Sequence, residues 1–265
     1  MQTDNPPSST TEPLKFTIAT VTFNATALIE RTIKSVEEQD YPYVEHLIVD
    51  GNSRDNTLEH IHHYQERNSI APVPHEINCI SEPDEGLYDA MNKGIRLATG
   101  DYLCFLNAGD KFHDKDTLQR MVDSLKEGEL PDVLYGETAI VDESGNFLHM
   151  RRLSTPEDLN WKSFKQGMLV CHQAFLPRRE LAVKHPYDLQ YRFSADFDWC
   201  IRIMKEAKCL HNTRLTLIDY LNEGMTTRNH KASLKERFRI MAKHYGWIST
   251  LLHHGWFVIR LFYKP

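Results

Sequence analysis

No run of apolar residues in this 265-residue chain reaches the roughly 20 needed to cross a bilayer as a helix, so no helical membrane span is expected. A cationic surplus is missing too. Lys and Arg number 31 against 37 Asp and Glu, a formal net charge of -6, which argues against DNA or RNA as the main partner because such binding draws on a basic surface. The five cysteines, Cys79, Cys104, Cys171, Cys200 and Cys209, form no C-x-x-C pair. Most lie in apolar runs and read as small buried side chains, a usage that fits a reducing cytosol. H-E-x-x-H, G-x-S-x-G and P-loop patterns are absent, so zinc proteolysis, α/β-hydrolase chemistry and P-loop ATP hydrolysis lack support. There is no internal repeat, and no low-complexity segment follows the N-terminal lead-in.

What is present is the balance of an ordinary globular protein, 41% hydrophobic and 26% charged, at a length that suits one large domain or two tightly joined halves. Residues 1–13 are polar and rich in Ser, Thr and Pro, without the cationic start or apolar block of a secretion signal, and are expected to be a disordered lead-in. From residue 16 onward, β-rich runs alternate with segments of helical period, the pattern of a mostly parallel sheet flanked by helices. Strands are expected at 16–22, 44–50, 77–81 and 101–106, with helices at 26–39, from 55 through 60, and after Gly86. Residues 14–131 thus read as an α/β nucleotide-binding half. Beyond residue 132 the pattern loosens into shorter strands (DVLYGE, TAIVD) and a hairpin near 144–146, an α+β half over 132–228 that receives a second substrate. Residues 229–265 are expected to form C-terminal helices.

Acidic clusters follow three of the strands: DGNSRD at 50–55, EPDEG at 82–86 and NAGD at 107–110. On a parallel sheet they would converge at the carboxyl edge, where open α/β sheets bind ligands. Such crowding is unfavourable without a cation or a row of donors. The plainer reading of each cluster is strand-ending and helix-capping. Asp110 directly follows the most apolar strand and is a candidate holder of Mg2+ or Mn2+, which need one or two carboxylates plus diphosphate oxygens. Asp50 is suited to a base or ribose. Asp89, Asn92, Lys93 and Arg96 form one polar helix stripe, in which Lys93 could meet a phosphate or pair with Asp89 on a solvated face. In SADFDW, Ser194 is a candidate N-cap, and Asp196 and Asp198 either favour the helix dipole or supply a general base. His172 and Gln173, in a strand-like 170–176, are candidates for sugar hydroxyls, with a satisfied core histidine as the alternative. His230 is either a metal ligand or the start of a helix.

These residues resemble the inverting family 2 glycosyltransferases of the GT-A fold, over about 16–228. The similarity is carried by TFN at 22–24, VDGNSRDNT, and above all SEPDEGLYDAMNKGIRLATGDYLCFLNAGD, which is similar to the colanic acid biosynthesis branch. The resemblance implies a hexosyl transfer from a UDP- or GDP-sugar to a hydroxyl of a glycan or polyprenyl-linked acceptor in bacterial surface polysaccharide synthesis. By the same resemblance Thr22, Asp50 and Asp84 line the nucleotide, and Asn24, with Asp89, Asn92 and Lys93 of the polar stripe and Asn107, is expected on the donor side. Asp110 is implied as the metal-holding aspartate, although Asn107 and Gly109 stand where many relatives carry aspartate, and His230 is a candidate to help it. Asp196 falls on the catalytic-base position, with Ala195 in place of glutamate. His172, Gln173, Asp198 and Thr226 (in EGMTT) fall on the acceptor side.

Two other functions are weighed against this one. A sugar-nucleotide pyrophosphorylase would need a glycine-rich basic loop after the first strand, and TVTFNATAL has none. A non-catalytic sugar-nucleotide-binding protein would keep the fold without the chemistry. Residues 247–263 space Trp247, Leu251, Leu252, Trp256, Ile259 and Phe262 at helical intervals, with Arg260 and Lys264 nearby. This tail is expected to lie on the inner face of the cytoplasmic membrane, or to pack on the catalytic domain or on a second copy in a homo-oligomer.

Overall fold

The computed structural model describes residues 13–126, 128–222 and 230–262. β1 (Phe16–Thr22) and β2 (Val44–Asp50) are buried along their whole lengths, as expected of central parallel strands covered on both faces. They pair in register, Phe16 with Val44 through Thr22 with Asp50. Between them, α1 (Ile29–Glu37) turns Ile29, Ile33 and Val36 inward. α2 (Thr57–Asn68) leads to β3 (Glu76–Ser81), which is only partly covered because it forms the edge of the sheet. α3 (Leu87–Leu97) and β4 (Tyr102–Phe105) complete a four-stranded parallel sheet in the order β3-β2-β1-β4. Strand order therefore reverses beside β1, with β2 on one side and β4 on the other, which makes the crevice at their carboxyl ends the expected ligand site.

The chain then enters a mixed sheet through β5 (Lys111–Phe112) and α4 (Thr117–Asp123). β6 (Val133–Val141) forms a hairpin with β7 (Phe147–Met150). The two short strands expected at 132–142 are one continuous strand. Gly136 lies where β6 shifts register against β9 (Leu210–Leu221), and a Cβ there would stand 2.6 Å from the Leu215 carbonyl. Close backbone approach, not a break, accounts for the glycine. The strand expected at 170–176 is a 3-10 turn (His172–Ala174) followed by a short β8 (Phe175–Pro177), which pairs with β6. Polar residues 172 and 173 sit in the turn, where Ala174 N–H closes on the Cys171 carbonyl at 2.9 Å.

α5 (Arg179–Lys184), α6 (Ala195–Glu206), α7 (His230–Tyr245) and α8 (Trp247–Phe262) complete the chain. The two sheets share one hydrophobic cluster, in which Phe105 of β4 and Phe175 of β8 both meet the Trp199 ring edge-on. Asn92 adds a polar tie, its amide bonding both N–H and C=O of Tyr187. Among the described residues no helix is long and apolar enough to cross a membrane.

α6 is clamped to α7 by Asp198. Its fully buried carboxylate accepts from Arg202 Nε at 2.6 Å and His244 Nε2 at 2.8 Å, with Lys243 Nζ at 3.3 Å. Burial alone would raise its pKa, but the His244 and Arg202 donors outweigh it and bring the group down to about 2. The folded pKa thus lies below the unfolded one, so the stabilisation is present above about pH 4 and lost as pH falls through the folded value. Replacing Asp198 by Asn leaves its cationic partners uncompensated and is expected to cost about 3–5 kcal/mol at pH 7. Denaturant unfolding checks this, and the gap between variant and parent should narrow between pH 4 and pH 2.

Candidate active site

At the carboxyl ends of β1 and β4 lies a cavity of about 450 Å³. β1 contributes Thr22 and the loop residues Phe23 and Asn24, and the turn after β4 contributes Asn107 and Asp110. The far wall comes from the second sheet and its helices: Tyr220 and Leu221 of β9, His172 of the 3-10 turn, Arg192 and Phe193, and Asp196 in the first turn of α6. Tyr88, in the first turn of α3, closes the gap between the two walls.

Each wall is held by hydrogen bonds between distant segments. Asn24 has φ 47, a left-handed conformation that Asn tolerates, and its side chain accepts from Arg54 N–H at 2.9 Å, joining the β1 and β2 loops. Gly109 has φ 103, and a Cβ there would meet Leu221 at 3.3 Å, so the turn favours glycine where the family resemblance would place aspartate. Thr32 of α1 fixes the same turn, its hydroxyl accepting from Gly109 N–H and donating to the Asp110 carbonyl. Asp110 is 6% exposed, with one carboxylate oxygen accepting Leu221 N–H and the other the Gln173 amide, both at 2.7 Å. Burial pushes its pKa up to about 6 against the pull of those two donors. An ion of opposite charge in the cavity would relieve that penalty.

On the opposite wall, Asp196 keeps 15% of its side chain exposed and faces His172, whose Nδ1 stands 3.6 Å from Oδ2. Burial lowers the His172 pKa, but Cys171, Asp196 and Asp110 together outweigh it and raise it above its ordinary value. Three lining atoms are buried without a partner: Thr22 Oγ1, Asn107 Oδ1 and His172 Nε2. Buried polar groups are normally satisfied, so three unpaired polar atoms on residues that line one cavity mark it as a candidate site for a polar ligand.

Thus Thr22, Asn24, Asn107, Asp110, His172 and Asp196 converge on one cavity. Other candidate residues are engaged elsewhere. Asp50 is fully buried and accepts from Ser53 N–H, Ser53 Oγ and Ser81 Oγ, which closes its own turn. Asp84 accepts Gly86 N–H and Asp89 accepts Glu85 N–H, both shaping the entry to α3. Lys93 donates to the Pro83 carbonyl at 2.6 Å and pairs with Glu82 rather than with Asp89, while Asn92 is spent on Tyr187. Gln173 supports the site without lining it, holding Asp110 and accepting Asn107 N–H at 2.8 Å. Asp198 points to α7, not to the cavity, because the α6 turn places it one residue pair away from the Asp196 face. Ser194 takes the N-cap position of α6, but its hydroxyl bonds Ser233 instead of capping. Thr226 and the His230 side chain lie outside the described residues.

Sequence reasoning missed Tyr88, Arg192 and Phe23. Tyr88 sits inside the run GLYDAMNKG, but a tyrosine there reads as core. Arg192 is the one Lys or Arg lining the cavity among the described residues. Phe23 is 61% exposed at the rim, a large ring with no intramolecular reason to face solvent. Among the described residues no group of three or more His, Cys, Asp or Glu is arranged to hold a metal ion. The donors that suit a divalent cation are Asp110 and the unpartnered Asn107 oxygen on the same short turn, a set that diphosphate oxygens would have to complete.

Residues 17–185 match the model of glycosyl transferase family 2. The chain is 38% identical over 189 residues to a PGL/p-HBAD biosynthesis glycosyltransferase of Mycobacterium bovis, covering 71% of this chain and 68% of the relative. It is 29% identical over 203 residues to the amylovoran biosynthesis glycosyltransferase AmsB of Erwinia amylovora, covering 72% and 64%. Among solved structures, residues 1–349 of S. aureus TarS in complex with UDP superpose with a TM-score of 0.66 at 17% identity, over 86% of this chain and 64% of that one. The mannosyltransferase PcManGT from Pyrobaculum calidifontis, in complex with GDP-Man and Mn2+, gives 0.62 at 17% identity, over 92% and 74%. At such identities the superpositions speak for a shared GT-A fold.

The Gln173 amide is the support of Asp110 most open to test. Gln173→Leu keeps the buried volume and removes both amide contacts, which should cost about 1–3 kcal/mol. Thermal unfolding at pH 7 measures it, and an unchanged midpoint would mean that the amide does not hold the turn.

Proposed function

The chain belongs to glycosyl transferase family 2 and is a glycosyltransferase, and we propose that it inverts configuration while moving a hexosyl-type sugar from a UDP- or GDP-sugar to a hydroxyl of a glycan or lipid-linked acceptor. The observation that carries this reading is that Asp110 and Asp196, from different sheets' elements, line one cavity together with three unpartnered polar atoms. Support for the donor class comes from the UDP held by TarS and the GDP-Man held by the archaeal mannosyltransferase. The product class is supported by relatives named for glycolipid and exopolysaccharide synthesis.

In the proposed reaction the acceptor O–H bond breaks and its proton passes to Asp196, while the oxygen forms a bond to the anomeric carbon. The bond from that carbon to the diphosphate oxygen breaks, and its electron pair leaves with the nucleoside diphosphate. His172 Nε2, when protonated, donates to a hydroxyl or phosphate oxygen, Asn107 Oδ1 accepts from a hydroxyl, and Phe23 offers a face to the base. Arg192 brings positive charge to the cavity wall. Mg2+ or Mn2+ held by Asp110 and Asn107 would supply charge neutralisation for the departing diphosphate, as the Mn2+ in the archaeal neighbour suggests.

The reading extends to the location of the acceptor. α8 exposes Trp247, Ile248, Leu251, Leu252 and Trp256, each more than half accessible, and α7 beside it exposes Lys231, Lys235 and Arg239. An apolar face flanked by cations suits an anionic bilayer surface, so the enzyme docks peripherally on the inner leaflet, beside a lipid-linked acceptor.

A panel of UDP- and GDP-sugars, assayed for binding and hydrolysis with Mn2+ or with EDTA, is expected to yield one donor whose turnover falls at least tenfold on chelation. Binding without any turnover would favour the non-catalytic reading. Asp196→Asn should retain donor binding and lose at least about a hundredfold in rate. Near-normal transfer by that variant would remove Asp196 from the mechanism. A chain truncated before Trp247 should no longer sediment with phosphatidylglycerol vesicles, and unchanged sedimentation would rule out the docking role of α8.

A further inference from the structure

Asp196 is gripped by a residue from the other side of the molecule. Tyr88, only 8% exposed, donates its hydroxyl to Asp196 Oδ1 at 3.2 Å, across the seam between α3 and α6. The same oxygen accepts Phe197 N–H at 2.9 Å. Oδ1 therefore carries two donors, whereas Oδ2 has only the His172 ring nitrogen nearby, at 3.6 Å. The two carboxylate oxygens are thus unequal, and the one with spare lone pairs is the one that faces His172 Nδ1.

The Tyr88 ring has little freedom to give up this contact. It packs on Tyr187 with centroids 5.2 Å apart, and Tyr187 stacks on Trp199 at 4.8 Å, within the core shared by both sheets. Its backbone is set by the first turn of α3, which starts after Gly86 at φ 127. Burial pushes the phenol well above its ordinary pKa, so it remains a donor across the neutral range. The cavity-lining position follows from the same geometry.

We propose that Tyr88 is a positioning residue for the reaction: its hydroxyl orients the Asp196 carboxylate so that Oδ2 is presented to the acceptor hydroxyl. This rests on the assignment of Asp196 as the base. Removing the phenol oxygen leaves Oδ1 with the Phe197 N–H as its donor and loosens the carboxylate's orientation. Other groups facing Asp196 are His172 from the 3-10 turn, Tyr187, Tyr220 of β9 and Cys200 on its own helix, with Arg237 of α7 near Tyr88. Tyr88 is the one among them with a hydrogen bond to the carboxylate.

Tyr88→Phe keeps the ring and its stacking and removes one oxygen. Tyr187→Phe is the matched control, since its hydroxyl is buried without a partner. Tyr88→Phe is expected to lower kcat for donor hydrolysis, followed as UDP or GDP release, at least about tenfold with KM for the donor little changed. Tyr187→Phe should leave both in place. An unchanged kcat in Tyr88→Phe, a rise in KM that accounts for the loss, or an equal loss in Tyr187→Phe would overturn the proposal. If Asp196→Asn hydrolyses donor normally, the base assignment fails instead, whatever Tyr88→Phe shows.

Discussion

One buried carboxylate fastens the active cavity together. Asp110 stands at the end of the parallel sheet, yet its two oxygens are taken by the backbone of β9 and by Gln173 from the turn before β8. Gln173 in turn receives Asn107 N–H, so the β4 turn and the second sheet are tied by a closed loop of hydrogen bonds. A charge this deeply buried is unfavourable unless it is fully paired. With its donors in place it holds the turn after β4 against the elements that carry His172, Tyr220 and Asp196.

Polar groups are divided accordingly. Those that build the frame are satisfied within the protein: Asp50 by two serines, Asn92 by the Tyr187 backbone, Lys93 by Pro83 and Glu82, Asp198 by Arg202 and His244. Those that face the cavity keep unspent capacity, as in Thr22, Asn107 and His172. Rigid support for a few unpaired atoms is what a transferase needs, because catalysis gains from donors and acceptors already oriented when charge develops. The aromatic column of Tyr88, Tyr187 and Trp199 provides that rigidity from the core.

The C-terminal helices belong to the same design. α7 is anchored to α6 through Asp198, and its Glu236 carboxylate accepts the backbone N–H groups of Arg192 and Phe193 at 2.9 and 2.8 Å. The loop on the cavity wall is therefore fastened to the helix pair that exposes apolar side chains.

Much of the frame was legible before any coordinates. β1 and β2 have the bounds expected for continuous apolar runs, because a parallel strand buried on both faces needs nothing from its sequence but apolar, β-compatible residues. Asp110 was a candidate from its place after a strand, whereas position at the head of α6 left Asp196 and Asp198 open and the family resemblance pointed to Asp196. Tertiary structure alone decided which polar side chains remained available. Helical spacing grouped Asp89, Asn92 and Lys93 on one stripe, but whether each faced a ligand or a backbone carbonyl depended on segments remote in the chain. The turn at His172, the one-sided grip of Tyr88 on Asp196, and the exposure of Arg192 were decided in the same way. Periodicity is a property of neighbouring residues, whereas the pairing of a buried donor is settled by competition among groups that only folding brings within reach.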